Sequence, residues 1–247
     1  MSVIAFLLLP VAIVIPMSFN DSMVFEVMPS RPSLSQYHRL FTDPAWMDVL
    51  WRSVQVAAAV MFVATAVGTL AALGISRLSG NLKSFAEALS ISPQIVPSVV
   101  IAVSSYYVFS TIGLIGSITG IVIAHTLIAL PFVVILVQSR LQSLDPDLTL
   151  ASASLGADPA QTFFRITVPQ LKLSLLGAGV LAFHVSFDEV VLALFLTGAR
   201  TKTLPVKLWD SILFEVTPIL PAISTVVIAI PIVVAGAIAL LRGLRVP

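Results

Sequence analysis

No cysteine occurs among the 247 residues, which excludes disulfides, thiolate metal sites and cysteine nucleophiles. Charge is scarce as well: only 10% of residues are Asp, Glu, Lys or Arg, and the formal net charge is +1. No basic stripe with interleaved aromatics is present, so the chain lacks the footprint of a nucleic-acid binder. The three histidines, His38, His125 and His184, show no metal-ligand spacing. No glycine-rich loop leads into a Lys and Ser/Thr pair, so the sequence offers no P-loop and any nucleotide energy must come from elsewhere.

What fills the sequence instead is apolar. Hydrophobic residues make up 58% of it and the mean hydropathy is +1.06, too high for an ordinary soluble domain. The composition predicts an all-α membrane protein, because backbone polar groups in lipid must be satisfied within a helix. At roughly 20 residues per crossing of a ~30 Å hydrocarbon core, the length suits a single transmembrane domain of about six spans. Apolar runs place these near residues 3–17, 53–75, 95–109, 118–137, 173–196 and 220–241. The first run has neither a basic n-region nor a small-residue cleavage site and is read as a span, not a signal peptide.

Residues 18–52 form a polar loop carrying Asp21, Glu26, Arg31, Arg39, Asp43 and Asp48, in which Pro29, Pro32 and Pro44 argue against continuous helix. The third span opens through residues 90–98, where Pro93 and Pro97 interrupt the helical ladder and Gln94 brings an amide to membrane depth. Basic residues divide seven against six: Arg77, Lys83, Arg140, Arg165, Lys172, Arg242 and Arg245 on one side, Arg31, Arg39, Arg52, Arg200, Lys202 and Lys207 on the other. The long first loop counts least in such a comparison, which favours cytoplasmic termini and a cytoplasmic loop at residues 142–172.

That loop has the punctuation of two short helices. Asp145 can cap the first with Pro146 at its opening position, and Asp158 the second with Pro159 in the same place. Gly156 lies between them, suited to a left-handed turn that closes the first helix and leaves room for a close backbone approach. Leu148, Ala151 and Leu155 share one face of the first helix, away from Asp147, Ser152 and Ser154, and make a small apolar surface suited to a groove on a partner.

These residues resemble the permease subunits of bacterial binding-protein-dependent ABC importers. The signature of that family is Glu-Ala-Ala, three residues, Gly, nine residues, then Ile-x-Leu-Pro. Here it maps onto Leu150, Ala151 and Ser152, then Gly156, then Ile166, Thr167, Val168 and Pro169. Leu150 replaces the Glu, Ser152 the second Ala and Val168 the Leu. The resemblance covers nearly the whole chain, including residues 41–46 (FTDPAW), 186–191 (SFDEVV), 195–198 (FLTG) and 203–206 (TLPV), which look like the second permease subunit of spermidine/putrescine importers. It implies the type I importer permease (MetI-like) fold in the bacterial inner membrane. The implied partners are a second permease subunit, two cytoplasmic ATPase subunits and a solute-binding protein. It also implies that Leu150, Ala151, Ser152, Leu155, Gly156, Ile166 and Pro169 belong to a coupling helix inserted into the ATPase. The chain would itself be neither an enzyme nor a cofactor binder, with ATP used by the partner.

Asp188 and Glu189 fall within the fifth apolar run. A carboxylate inside a span costs about 2.5 to 3.5 kcal/mol on insertion scales, so the pair is expected to face a polar cavity or the interface. His184 and Asp188, four apart, can share a helical face and bond. Phe183 and Phe187 could cover a methylene chain or meet a cation. Together with the resemblance, these five residues make a candidate pathway for a polyamine or related amine. Structural roles for the acids are the end of the span, a pairing with Arg200 or Lys202, or contact with the docked binding protein. Gly68, Gly74, Gly113 and Gly116 suit close helix packing or turns, and His125 and Pro131 a packed polar residue and a kink.

Two rival functions remain. An ion-coupled secondary transporter would use His184, Asp188 and Glu189 as its ion site, but the spans show no repeated halves with matching broken helices. An intramembrane hydrolase fares worse, since Ser186 and His184 stand too close in sequence to form a Ser–His pair on one helix face. Opines, amino-acid derivatives and ferric iron are alternative solutes within the importer reading.

Overall fold

The computed structural model describes residues 2–21, 27–214 and 217–243. Glu26 and Arg245, used in the loop and charge readings, lie outside those residues, and the side chain of Arg242 is likewise not described. Regular structure among the described residues is helical, apart from one bridge between Asn20 and Pro32. In chain order the helices are α1 (Ser2–Met17), α2 (Ser35–Thr42), α3 (Pro44–Ser76), α4 (Gly80–Ile95), α5 (Ser98–Thr111) and α6 (Ile118–Gln142). There follow α7 (Pro146–Ser154), α8 (Pro159–Thr162), a π turn (Phe163–Thr167), α9 (Val168–Phe187), α10 (Val191–Leu196), α11 (Leu204–Phe214) and α12 (Leu220–Gly243). Among the described residues, three helical stretches are long and apolar enough to cross a membrane: Pro44–Ser76, Ile118–Gln142 and Pro159–Phe187. The α4–α5 pair meets the same test as one broken span.

Several element boundaries differ from the sequence reading, each for a local reason. The polar loop contains α2, and α3 starts at Pro44, nine residues before the expected span at 53, because Asp43 caps it: its Oδ1 accepts the Ala45 N–H at 2.8 Å. The third span is not a helix opening at 95. The chain is helical from Gly80 to Ile95 and then turns by 98° into α5. Pro97 is the cause, since its ring drives Val96 out of the helical region to φ −75° and ψ 130°. Pro93, by contrast, is absorbed within α4. It cannot donate to Leu89, and the Ser92 hydroxyl takes that carbonyl instead at 2.8 Å.

The fifth run is also broken. Helix extends back to Pro159, with its π turn where the Pro169 ring would crowd the Arg165 carbonyl, and stops at Phe187 before restarting at Val191. Asp188 and Glu189 therefore stand at a helix break and not inside a continuous span.

The chain forms two compact units. Residues 1–53 and 201–247 make the first, residues 54–200 the second. In the first, α12 packs against α1 and α2. The Ser53 hydroxyl accepts the Leu204 N–H at 2.7 Å, and Arg52 donates to the Lys202 carbonyl at 2.9 Å, fixing the start of α11 to α3. Lys207 donates to the Ala45 carbonyl at 2.7 Å and sits 4.4 Å from the Trp46 ring centroid. Burial pushes the Lys207 ammonium pKa below its usual value, opposed by the charge of Asp43.

The second unit has a continuous apolar core from α3, α5, α6, α9 and α10, in which α6 against α9 is the most extensive pairing. Gly68 lets α3 approach α6 closely: a Cβ there would lie 2.6 Å from Val133 Cγ1. Gly113 and Gly116 serve turns, with φ of 72° and 70°, whereas Gly74 does neither, having no atom within 4 Å of an added Cβ and no positive φ. Overpacking of this kind costs about 1–3 kcal/mol. Gly68→Ala is expected to lower the thermal midpoint of the purified chain, and Val133→Ala in the same chain to restore part of the loss, as a double-mutant cycle can measure.

Candidate functional site

The loop at 142–172 is built by two Asp-Pro starts. Asp145 Oδ1 accepts the Asp147 N–H at 2.9 Å and opens α7, and Asp158 Oδ1 accepts the Gln161 N–H at 2.7 Å and opens α8. Gly156, at φ 81°, closes α7: its N–H reaches the Ala153 carbonyl at 3.0 Å, and the Ala157 N–H reaches the Ser152 carbonyl at 3.1 Å. This pair of bonds is the Schellman closure, which needs a left-handed residue where Gly156 stands.

The loop's surface is not a simple helical stripe. Leu148 is exposed on α7, as are Ala151, Leu150 (64%) and, at the helix end, Leu155 (88%); Phe164 in the π turn is exposed too. Ser152 faces inward instead, its hydroxyl 2.8 Å from that of Thr162, and both side chains are buried. The hydroxyl pair joins α7 to α8. Sequence periodicity set Ser152 apart from the apolar face but gave no hint of its partner, ten residues away across a turn. Ile166 is half-buried and Pro169 exposed.

Because Thr162 also donates to the Asp158 carbonyl at 3.1 Å, Ser152→Ala leaves no orphaned hydroxyl. Thr162→Val does leave one, at a typical cost of about 1–3 kcal/mol. Ser152→Ala is expected to change proteolytic sensitivity of this loop little, and Thr162→Val to raise it several-fold under limited trypsin digestion at Arg165.

At the other candidate site, Phe183 and Phe187 stack at 5.7 Å with an interplanar angle of 11°, Phe187 being buried and Phe183 half-buried. His184 and Asp188 are both exposed. Their link is the backbone bond from the Asp188 N–H to the His184 carbonyl at 3.1 Å; no bond between the two side chains is present among the described residues. Glu189 is spoken for locally, since its Oε1 accepts the Leu192 N–H at 2.9 Å and starts α10. Lys202 pairs with Asp210 at 2.6 Å within the first unit. Asp188 is left as the exposed carboxylate of the break.

Ser186 does meet a histidine, but from another helix: its hydroxyl is 3.0 Å from His125 Nδ1, with both residues buried. His125 is thus a packed polar residue tying α6 to α9, and α6 continues through the buried Pro131. No group of three or more potential metal ligands gathers among the described residues.

The described residues thus form a membrane-spanning helical chain with a doubly capped loop of exposed leucines and a broken fifth span. The backbone resembles two crystal structures of a bacterial alginate ABC transporter, at TM-scores of 0.78 and 0.75. The first is 13% identical and covers 100% of this chain and 93% of that one; the second was solved with an alginate pentasaccharide-bound periplasmic protein. At such identity the likeness shows the fold alone, and that fold is the type I importer permease. Residues 64–242 match the family described as binding-protein-dependent transport system inner membrane component, and the chain belongs to that family.

Among curated relatives, the putrescine transport permease PotI of Escherichia coli K12 is 30% identical over 90% of this chain and 82% of its own length. The spermidine/putrescine permease PotC of the same organism is 27% identical over 94% and 88%. The molybdenum transport permease ModB of Mycobacterium bovis is 30% identical over 91% and 90%. The chain is a multi-pass inner-membrane permease of the ABC importer class and resembles spermidine/putrescine permeases.

Proposed function

We propose that this permease imports a polyamine or related amine, forming half of the pathway with a second permease subunit and receiving solute from a binding protein. Two cytoplasmic ATPase subunits supply the energy, each permease loop docking into one of them, and this chain binds no cofactor itself. The termini and the loop at 142–172 are cytoplasmic in this reading, following the basic-residue balance. The observation that carries the coupling role is the α7 surface: Leu150 and Leu155 are exposed on a helix closed at Gly156, an apolar patch outside the membrane-spanning stretches. Leu150 takes the place of the signature Glu, so docking here relies on apolar contact at that position.

The chain has no native thiol, so Leu155→Cys provides a single reactive position in it. In inner-membrane vesicles a short bismaleimide is expected to join it to an ATPase subunit bearing a cysteine along its docking cleft. Failure across a full cysteine scan of the cleft, with the complex intact, would remove the coupling role.

For the solute, the support is the pair of polyamine permeases among the relatives together with the exposed Asp188 carboxylate at the helix break that follows the Phe183–Phe187 stack in sequence. Carboxylate and aromatic faces are the groups that replace ammonium hydration. The similarity to a molybdenum permease raises an oxyanion as the second reading, but an exposed carboxylate at the break opposes an anion. Competition of labelled putrescine uptake by unlabelled spermidine and by molybdate decides between them: spermidine is expected to compete and molybdate not to.

A further inference from the structure

The break that carries Asp188 is held on both sides, and both holds lead to α6. On the α9 side, Ser186 stands just before the break, and its hydroxyl lies 3.0 Å from His125 Nδ1. The other ring nitrogen, Nε2, is buried with no partner among the described residues, so Ser186 is the only hydrogen-bonding group there that orients the imidazole. On the α10 side, the Leu196 carbonyl accepts the Gly116 N–H at 2.9 Å, in the turn that leads into α6. Between the two, Glu189 caps α10 from within the break.

The opposite ends of α6 and α9 run into the loop at 142–172. There Arg140 Nε donates to the Gln170 carbonyl at 3.3 Å, a further tie between the same two helices. At 1.5 Å of rise per residue, the His125 and Arg140 ties lie about 22 Å apart along α6 and about 24 Å apart along α9, so the helices keep one register between them. Ala129, Val133 and Val137 of α6 and Leu171, Ala178 and Ala182 of α9 are buried in the intervening core. Close-packed seams of this kind have low compressibility and pass a displacement on. Apolar contact is non-directional, however, and does not fix how the last turn of α9 faces. The hydrogen bond to His125 does, because it sets both distance and angle.

We propose that His125 and Ser186 are positioning residues for transport: their bond makes the break move with α6, so that a displacement of the docked loop changes the exposure of Asp188. This role rests on the reading of the loop as the ATPase contact and needs no particular solute. Without the bond, the last turn of α9 is held by apolar contact alone, and the break relaxes independently of the loop.

The test uses the importer purified whole from its native membrane, with Asp188→Cys as the single thiol of this chain. Maleimide labelling of that thiol is followed on this chain's gel band, without nucleotide and after trapping with ATP and vanadate. The labelling rate is expected to change at least fivefold on trapping. Ser186→Ala and His125→Leu, each added separately, are expected to reduce that change to less than twofold, with the complex still co-purifying. His125→Asn is expected to keep most of it, since its side-chain amide reaches as far from Cβ as Nδ1 does. Ser186→Ala removes one oxygen and keeps the test alive if His125→Leu disturbs folding. A bond that served packing alone would lower the yield of assembled complex and leave the fivefold change intact; that result overturns the pair's role, as does a rate that trapping leaves unchanged in the parent chain. Gly156→Arg in the same background separates the two readings. A change that survives it removes the coupling role of the loop and the positioning role with it, whereas a change lost there but kept in Ser186→Ala and His125→Leu removes only the positioning pair.

Discussion

Gly156→Arg is expected to abolish solute uptake while the chain inserts and assembles normally. The glycine sits at φ 81°, and a side chain in the left-handed region costs about 1–2 kcal/mol. That strain loosens the closure of α7 but does not unfold a membrane bundle. Nothing lies within 4 Å of an added Cβ, so the chain alone gives no steric reason to reject a large residue. Any excess loss with arginine therefore reads on the partner surface that α7 meets. Gly156→Asn is the control, because asparagine tolerates the left-handed turn. It is expected to retain a substantial fraction of uptake, where arginine retains less than about one hundredth. Uptake by inverted and right-side-out vesicles, with co-purification to confirm assembly, measures both. Equal loss in the two variants would place the whole effect in the backbone turn and none at the docking surface.

The second large effect concerns the break after α9. Asp188→Lys puts an ammonium where the carboxylate stands at the helix break, and a cationic solute passing it then meets repulsion in place of attraction. Two unit charges about 6 Å apart interact by roughly 3 kcal/mol at an effective dielectric near 20, and by less than 1 kcal/mol in bulk water. Exchanging attraction for repulsion doubles those figures, so the expected fall in uptake runs from about tenfold in a well-hydrated pathway to roughly ten-thousandfold at the lower dielectric. Asp188→Asn should lose less. Glu189→Gln should be nearly silent, since an amide oxygen still accepts the Leu192 N–H that Glu189 Oε1 holds. Initial-rate uptake of labelled putrescine at several concentrations checks the series. An unchanged rate in Asp188→Lys would mean that this carboxylate never faces the solute.

Much of the loop was legible because its signals are local. Asp145, Asp158 and Gly156 each act on backbone within a few residues, and chemistry alone dictates a cap or a left-handed turn. The same rule read at Asp43 and Pro44 would have started α3 at its true beginning. Hydropathy concealed that start, as it concealed the break at Asp188, because a run of apolar residues does not reveal where a side-chain carboxylate takes a backbone N–H from the ladder. Distance in sequence hid the rest. Ser186 and His125 are 61 residues apart, and their bond follows from the packing of α9 on α6, which no periodicity encodes.

ATP-driven import of an amine is tested most directly by reconstituting the purified complex into sealed proteoliposomes with the binding protein outside and ATP trapped inside, then following labelled putrescine. Accumulation that needs ATP, persists with an uncoupler and stops with Gly156→Arg is the predicted result. Accumulation that proceeds without ATP and collapses with the uncoupler would contradict it, and would move the energy source to an ion gradient acting through His184, Asp188 and Glu189.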